Sequence, residues 1–437
     1  MDHAAAKAMA RTTPAGRDGD TAPLVIVTIL FFMWGLLTSL NDVLIPHLKA
    51  IYTLSYVQAM LVQFCFFSAY LVVSLPAGML IRRIGYQRGA VAGLAVAAAG
   101  CALFHPASRS GYGLFLLGFF VLAAGITVLQ VAANPYVTVL GDARHASSRL
   151  TLTQAFNSLG TTLGPAVGGA LILSEGAGAG GLAQLSGAAL ERFRAAEAAA
   201  VQGPYLALAA ALLVLAIVFA LVRLPVIEHG DATGDAAHAP GAAGPVLAQR
   251  HLVLGAIGIF LYVGAEVSIG SFLINFIGAP NITALAPTDA AHYVSYYWGG
   301  AMVGRFIGFA AMRRVSPGKA LAATSAAAIA LLLAAMLCDG TPAMWSLIAV
   351  GLCNAIMFPT IFSMALHKLG KLTGQASGIL CMAIVGGAIV PFCQGLMADL
   401  AGLQVSFMVP AACYVFILYF GLKYANMYAN TVHHRES

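Results

Sequence analysis

Charge is scarce in this sequence. Of 437 residues only 9% are Asp, Glu, Lys or Arg, against about 25% in soluble domains. So little charge cannot cover a water-exposed surface, which excludes a soluble globular protein. Histidine and cysteine occur, but never as a site. The histidines fall in loops, tails and run ends, and neither H-E-x-x-H nor C-x-x-C is present. An intramembrane enzyme would need a metal cluster or a nucleophile–base pair, so that class has no support. No metal and no cofactor is expected. The seven cysteines sit in or beside apolar runs and read as small buried hydrophobes. No cleavable secretory leader is expected either: residues 1–22 are polar, and the first apolar run is too long and lacks a small-residue cleavage site.

What fills the chain is hydrophobic, 60% of all residues. Twelve apolar runs can be marked, near 24–48, 56–81, 89–105, 112–140, 150–173, 204–224, 252–278, 291–312, 318–338, 343–367, 374–398 and 404–424. The expected fold is an all-α polytopic membrane protein with twelve transmembrane helices in two six-helix halves. Its parts are a tail at 1–22, a bundle at 23–224, a Gly/Ala/Pro/Asp-rich linker at 225–250, a bundle at 251–425 and a tail at 426–437. A polar insert, 174–203, follows the fifth run.

Most of the 22 lysines and arginines lie on the side of the chain that holds both termini; Lys49, Arg109, Arg192 and Arg194 lie opposite, and Arg305 lies inside a run. That excess marks the cytoplasmic face of a plasma membrane, the inner membrane of a bacterium. The net charge of +6 thus reflects orientation, and nucleic-acid binding is not expected.

The halves resemble each other. The second run ends in Arg82 and Arg83, the eighth in Arg313 and Arg314. Pro135 and Pro165 punctuate runs four and five as Pro359 and Pro391 punctuate runs ten and eleven. Gly160, Gly164 and Gly168 form a small-residue stripe on run five, and Gly300, Gly304 and Gly308 repeat it on run eight. Duplicated six-span units with a site near the midplane describe a transporter.

Polar residues inside the runs are the candidate site. Asp42, beside Asn41 and before Pro46, lies about 27 Å along the first helix from Leu24. A carboxylate at that depth is a coupling site or the cap of a broken helix. Glu266, about 21 Å into run seven, is the acid deep in the second half, and must be protonated, paired or cation-bound. Gln130 and Asn134 share one helix face, as do Gln154 and Asn157. Each pair either binds a ligand or bonds to a neighbouring helix. Asn275 and Asn354 carry the same two readings. Trp34 and Trp298 either stack on a ligand or face lipid and core, while Trp345 reads as an interfacial anchor. Arg305 pairs with Glu266 or another acceptor, or snorkels to the surface.

WGLLTSLNDVLIP (Trp34–Pro46), LQVAANPYVTVLG (Leu129–Gly141), LTQAFNSLG (Leu152–Gly160), YVGAEVSIGSFLINF (Tyr262–Phe276), VGRFIG (Val303–Gly308) and FPTIFSMAL (Phe358–Leu366) together resemble the fucose and glucose/galactose permease branch of the major facilitator superfamily. The resemblance implies the major facilitator fold and a sugar symporter working by alternating access. In it, Asp42 matches the first-helix aspartate of the fucose permease. Gln130 stands where that permease has a glutamate, Phe358 where it has a tyrosine, and Glu266 where it has a glutamine. Arg82 stands where many members carry an aspartate, in a loop with Arg83 that, like Arg305, Arg313 and Arg314, is a gating or structural element.

The expected function is cation-coupled symport, with Na⁺ or H⁺, of a hexose such as glucose/galactose, mannose or N-acetylglucosamine. Asp42, Asn41, Gln130 and Glu266 are the coupling candidates. Gln130, Asn134, Gln154, Asn157, Trp34, Trp298, Asn275, Asn354 and Phe358 are the sugar candidates. The alternatives are an L-fucose:proton symporter, a drug or metabolite exporter, or a non-transporting sensor. The expected partners are sugar and membrane lipid, and the expected state is a monomer. Asp42→Asn is expected to abolish gradient-driven accumulation while leaving the protein folded; full concentrative uptake by the variant would remove Asp42 from the mechanism.

Overall fold

The computed structural model describes residues 21–52, 56–110, 112–172, 202–222, 244–285 and 287–427. The insert at 174–203, most of the linker and nearly all of both tails lie outside the described residues. Among the described residues the architecture is helical throughout, with no strand. In the amino-terminal half the helices are α1 (Thr21–Tyr52), α2 (Tyr56–Ile84), α3 (Tyr86–Ser110), α4 (Tyr112–Val139), α5 (Ala146–Ile172) and α6 (Gln202–Leu221). In the carboxy-terminal half they are α7 (Arg250–Ile277), α8 (Pro287–Ala311), α9 (Pro317–Leu337), α10 (Gly340–Asn354), α11 (Met357–Ala365), α12 (Thr373–Met382), α13 (Gly386–Ala401) and α14 (Met408–Lys423). Among the described residues nine helices are long and apolar enough to cross a bilayer, and Pro23–Thr38 adds a shorter apolar piece. The chain is an integral membrane protein.

Packing repeats from one half to the other. In the first, α1 lies on α5, α2 and α6 on either side of the α3–α4 hairpin; in the second, α7 lies on α13, α8 on α10, and α14 on α9. The close approaches repeat too. A methyl added at Gly160 would overlap the Phe32 carbonyl, and one at Gly386 would overlap the Phe260 carbonyl. Such contacts let helices meet backbone to backbone in a medium where apolar side chains gain nothing by leaving lipid. The glycine stripes of α5 and α8 therefore serve packing inside each half: Gly160 faces α1, and Gly300 and Gly304 face α10. Gly308 faces Ile356 and also nears Thr151 of the other half. Gly164 and Gly168 lie outside the described residues in all but backbone.

The halves meet along α2 with α12, α5 with α8, α5 with α11, and α4 with α12. The end of the bundle carrying Arg82, Arg83, Arg313 and Arg314, all exposed, is called the basic end below. There the seam is bridged by hydroxyls. The Ser147 and Ser363 hydroxyls hydrogen-bond to each other at 2.6 Å, and the Ser148 hydroxyl donates to the Phe309 carbonyl at 2.8 Å. The Ser377 hydroxyl donates to the Val131 carbonyl at 3.1 Å.

The turn between α4 and α5 is held tightly. Arg149 reaches back along it, donating to the carbonyls of Asp142 (2.7 Å), Thr138 (3.1 Å) and Val137 (3.4 Å). The Val137 and Thr138 carbonyls are groups the end of α4 leaves without helical donors, while Asp142 belongs to the turn beyond it. Asp142 caps the following turn through the Arg144 amide at 2.9 Å and binds the Arg144 guanidinium at 2.7 Å. Those hydrogen bonds hold its carboxyl down at about 2.

Gly160→Val tests the backbone contact of α1 with α5. Overpacking a tight site costs about 1–3 kcal/mol, so the variant is expected to melt at lower temperature in detergent. An unchanged melting temperature would mean that α1 and α5 are free to separate.

Candidate functional site

Two prolines each leave a carbonyl without its helical donor: Pro135 inside the continuous α4, and Pro359 just past the interruption between α10 and α11. Proline has no N–H, so the carbonyl four residues earlier loses its helical donor. Pro135 frees the Val131 carbonyl in α4, where the Ser377 hydroxyl fills the place. Pro359 frees the Ala355 carbonyl between α10 and α11, where Arg305 Nε donates at 3.4 Å. The neighbouring Asn354 carbonyl accepts from the Tyr262 hydroxyl at 3.1 Å. A donor from another helix replaces the missing one, as a bilayer requires.

Around the interruption between α10 and α11 sits a tyrosine cage. Asn354 Nδ2 donates to the Tyr297 hydroxyl at 2.8 Å, and the Tyr414 hydroxyl donates to Asn354 Oδ1 at 2.6 Å. The Tyr297 hydroxyl donates onward to the Glu266 carbonyl at 3.2 Å. Asn354 thereby ties α7, α8, α10 and α14 together, and both ends of its amide are occupied. Glu266 is partly exposed as a residue, yet its Oε1 is shut off from solvent and has no hydrogen-bond partner among the described residues. Tyr262, one turn earlier, is within reach of the same carboxylate, and Arg305 acts on it electrostatically. Arg305 thus faces Glu266 without forming a close ion pair: among the described residues the ion pair within 4 Å is Arg144 with Asp142.

Across the seam the amino-terminal half presents a second polar set. Gln130 is buried, and its Nε2 donates to the Tyr70 hydroxyl of α2 at 2.5 Å. Asn134, one turn on, has no exposed surface, and among the described residues neither its Nδ2 nor its Oδ1 has a partner. A buried amide with both ends open costs a few kcal/mol unless something fills the place. Gly387 of α13 lies between Phe67 of α2 and Val263 of α7. Phe67 is one turn from Tyr70 and Val263 one turn from Glu266, so the helices that carry the two polar sets meet through this contact.

The remaining candidates divide. Asn157 Nδ2 donates to the Phe31 carbonyl at 2.9 Å, bonding α5 to α1. Gln154 is buried on the same helix. Trp34 is 8% exposed and packs on Phe31 at 5.3 Å, whereas Trp298 is 43% exposed beside Tyr297. Phe358 stacks on Phe362 at 5.7 Å and lies 6.5 Å from Tyr262, at the rim of the tyrosine cage. Asn275 is exposed and stands nine residues beyond Glu266, about 14 Å along α7, so the structure does not bring it to this cluster. Arg313 lies over the Phe309 ring at 5.0 Å, and Arg314, Arg82 and Arg83 are exposed. Asn41 and Asp42 fall on α1, but their side chains lie outside the described residues. Among the described residues no group of His, Cys, Asp and Glu is placed to hold a metal.

Sequence reasoning passed over Tyr70, Tyr262, Tyr297, Tyr414 and Ser377. Only the four-residue spacing of Tyr262 and Glu266 was visible in advance; a tyrosine in an apolar run otherwise looks like any core aromatic.

Residues 27–384 match the model of the Major Facilitator Superfamily, and the chain belongs to that family. It is 57% identical over 400 residues to a Brucella abortus protein named glucose/galactose transporter, covering 91% of this chain and 93% of that one. It is 35% identical over 408 residues to the L-fucose-proton symporter of Escherichia coli, covering 91% and 92%. Its fold superposes on the crystal structure of the superfamily transporter FucP in the outward conformation, with TM-score 0.87, 33% identity and coverage of 93% of this chain and 99% of that one. These relatives are named as transporters, not enzymes.

Asn354→Leu removes two interhelical bonds. Such bonds average about 0.6 kcal/mol in a bilayer, with a maximum near 1.7, so a loss of about 1–3 kcal/mol and a lower melting temperature in detergent are expected. Weaker sugar binding with an unchanged melting temperature would instead make Asn354 a ligand contact.

Proposed function

We propose that this protein is a cation-coupled hexose symporter that works by alternating access. One observation supports the reading: among the described residues one half holds a buried carboxylate oxygen without a partner, on Glu266, and the other a buried amide without a partner at either end, on Asn134. Open polar groups in an otherwise apolar interior fit a ligand rich in hydroxyls. Gln130 and Asn134 hold the sugar from one side, and Phe358 offers a ring face from the other. Asp42 with Asn41, together with Glu266, carries the coupling cation. Gln130 is a neutral oxygen donor that coordinates a hard cation but does not titrate, and this tilts the reading toward Na⁺. The degree of likeness to the Brucella protein favours an aldohexose, glucose/galactose first, with mannose and N-acetylglucosamine in the same class. L-fucose with protons is the second reading, supported by the E. coli symporter and the FucP fold.

The same view orients the protein. The basic end faces the cytoplasm, both tails lie there, and the hydroxyl bridges at that end keep the inner side closed, as suits an outward-facing state. Sugar and cation enter from outside, charge at the carboxylates is neutralised, and the halves rock. The working unit is a monomer in lipid.

The test is uptake of labelled hexoses and L-fucose into proteoliposomes, with sodium replaced by choline at fixed pH and, separately, the proton gradient collapsed by a protonophore. Glucose or galactose uptake is expected to stop without sodium. Transport that survives sodium removal but dies with the protonophore would assign the coupling to protons. Absence of any sugar uptake would leave the exporter or sensor reading.

A further inference from the structure

The Val131 carbonyl sits between the two amides assigned to sugar, one residue after Gln130 and three before Asn134. Pro135 deprives it of its helical donor, and the donor that replaces it comes from the opposite half. The replacement is closely built. Ser377 is buried in the second turn of α12, and Gly378 beside it lies so close to α2 that an added Cβ would stand 2.7 Å from the Ser74 carbonyl. Cys381, one turn further along α12, is within hydrogen-bond reach of Ser377 and next to Tyr70. Tyr70 is the partner of the Gln130 amide. One turn of α12 therefore touches both the main chain and, through Tyr70, the side chain of the same α4 segment.

We propose that Ser377 is a positioning residue for the sugar site: its hydroxyl holds the Gln130–Asn134 turn in binding geometry only while the halves are together at the basic end. This rests on the reading of Gln130 and Asn134 as sugar contacts. When that end opens, Ser377 moves away with α12, and water takes over the Val131 carbonyl. The turn above Pro135 is then no longer pinned. Affinity falls on the side where sugar must be released, and the fall is built into the same bond that closes the seam. An α4 without Pro135 would keep its own donor at Val131 and would not sense the other half.

The test is a double-mutant cycle between Ser377 and Pro135 on the full chain in detergent, with two readouts. One is the calorimetric affinity for D-galactose; the other is hydrogen–deuterium exchange of peptides covering residues 127–139. Ser377→Ala is expected to speed exchange in those peptides and to weaken D-galactose binding about three- to tenfold, the scale of one hydrogen bond. Ser377→Thr, which keeps the donor, should stay near the parent protein. In a Pro135→Ala background the Val131 carbonyl regains a helical donor, so adding Ser377→Ala should change neither readout. The proposal is overturned if Ser377→Ala leaves exchange unchanged, or if its effects are the same size with Pro135 replaced. Failure of the sugar reading looks different: Gln130→Ala would leave D-galactose affinity intact, or the parent protein would not bind it, while the exchange cycle still decides the link between Ser377 and Pro135.

Discussion

A main-chain carbonyl without a donor costs several kcal/mol in hydrocarbon, and this structure is arranged around meeting that cost. Unbroken helices meet it internally. The helices that build the polar interior meet it only in part, because Pro135 inside α4 and Pro359 in α11 each leave a carbonyl without its helical donor. The two solutions differ. In the carboxy-terminal half Arg305, on a neighbouring helix of the same half, closes the Ala355 carbonyl. In the amino-terminal half Ser377 reaches across the seam to Val131. The placement of Arg305, of Ser377 and of the tyrosine cage around Asn354 follows from those two prolines.

Duplication explains why the prolines come in a pair. Corresponding helices pack in the same order in both halves, and the backbone contact of Gly160 with Phe32 recurs as Gly386 with Phe260. The halves have diverged in what they hold. One keeps amides on α4, with Asn134 open at both ends; the other keeps a carboxylate on α7 with one oxygen open.

Much of this was legible in the sequence because a bilayer allows few solutions. Apolar runs of span length give helices, and the observed helices fall within a few residues of those runs wherever the chain is described. Position along the helix was also legible: Gln130, Asn134 and Glu266 could be placed on their helices by counting rise per residue. Partners were not. Asn354 meets Tyr297 and Tyr414 at separations of 57 and 60 residues, and Ser377 meets Val131 at 246. No periodicity links positions on different helices. The glycine stripes show the same limit: their spacing announces close packing, but not that Gly160 meets α1 or Gly304 meets α10. Asn157, read as either sugar contact or helix bond, gives its amide protons to the Phe31 carbonyl, a group every residue owns and no sequence marks.

The Arg149 clasp over the end of α4 has a mechanical corollary. With three carbonyls of that end gathered by one guanidinium from α5, the α4–α5 hairpin is stiff and turns as a single lever. Its counterparts in the other half are jointed: the tenth run is interrupted between Asn354 and Met357, and the eleventh passes through a tighter turn at Ala383–Val385. Strain applied to the bundle would therefore collect first at those two joints rather than at the clasped α4–α5 turn.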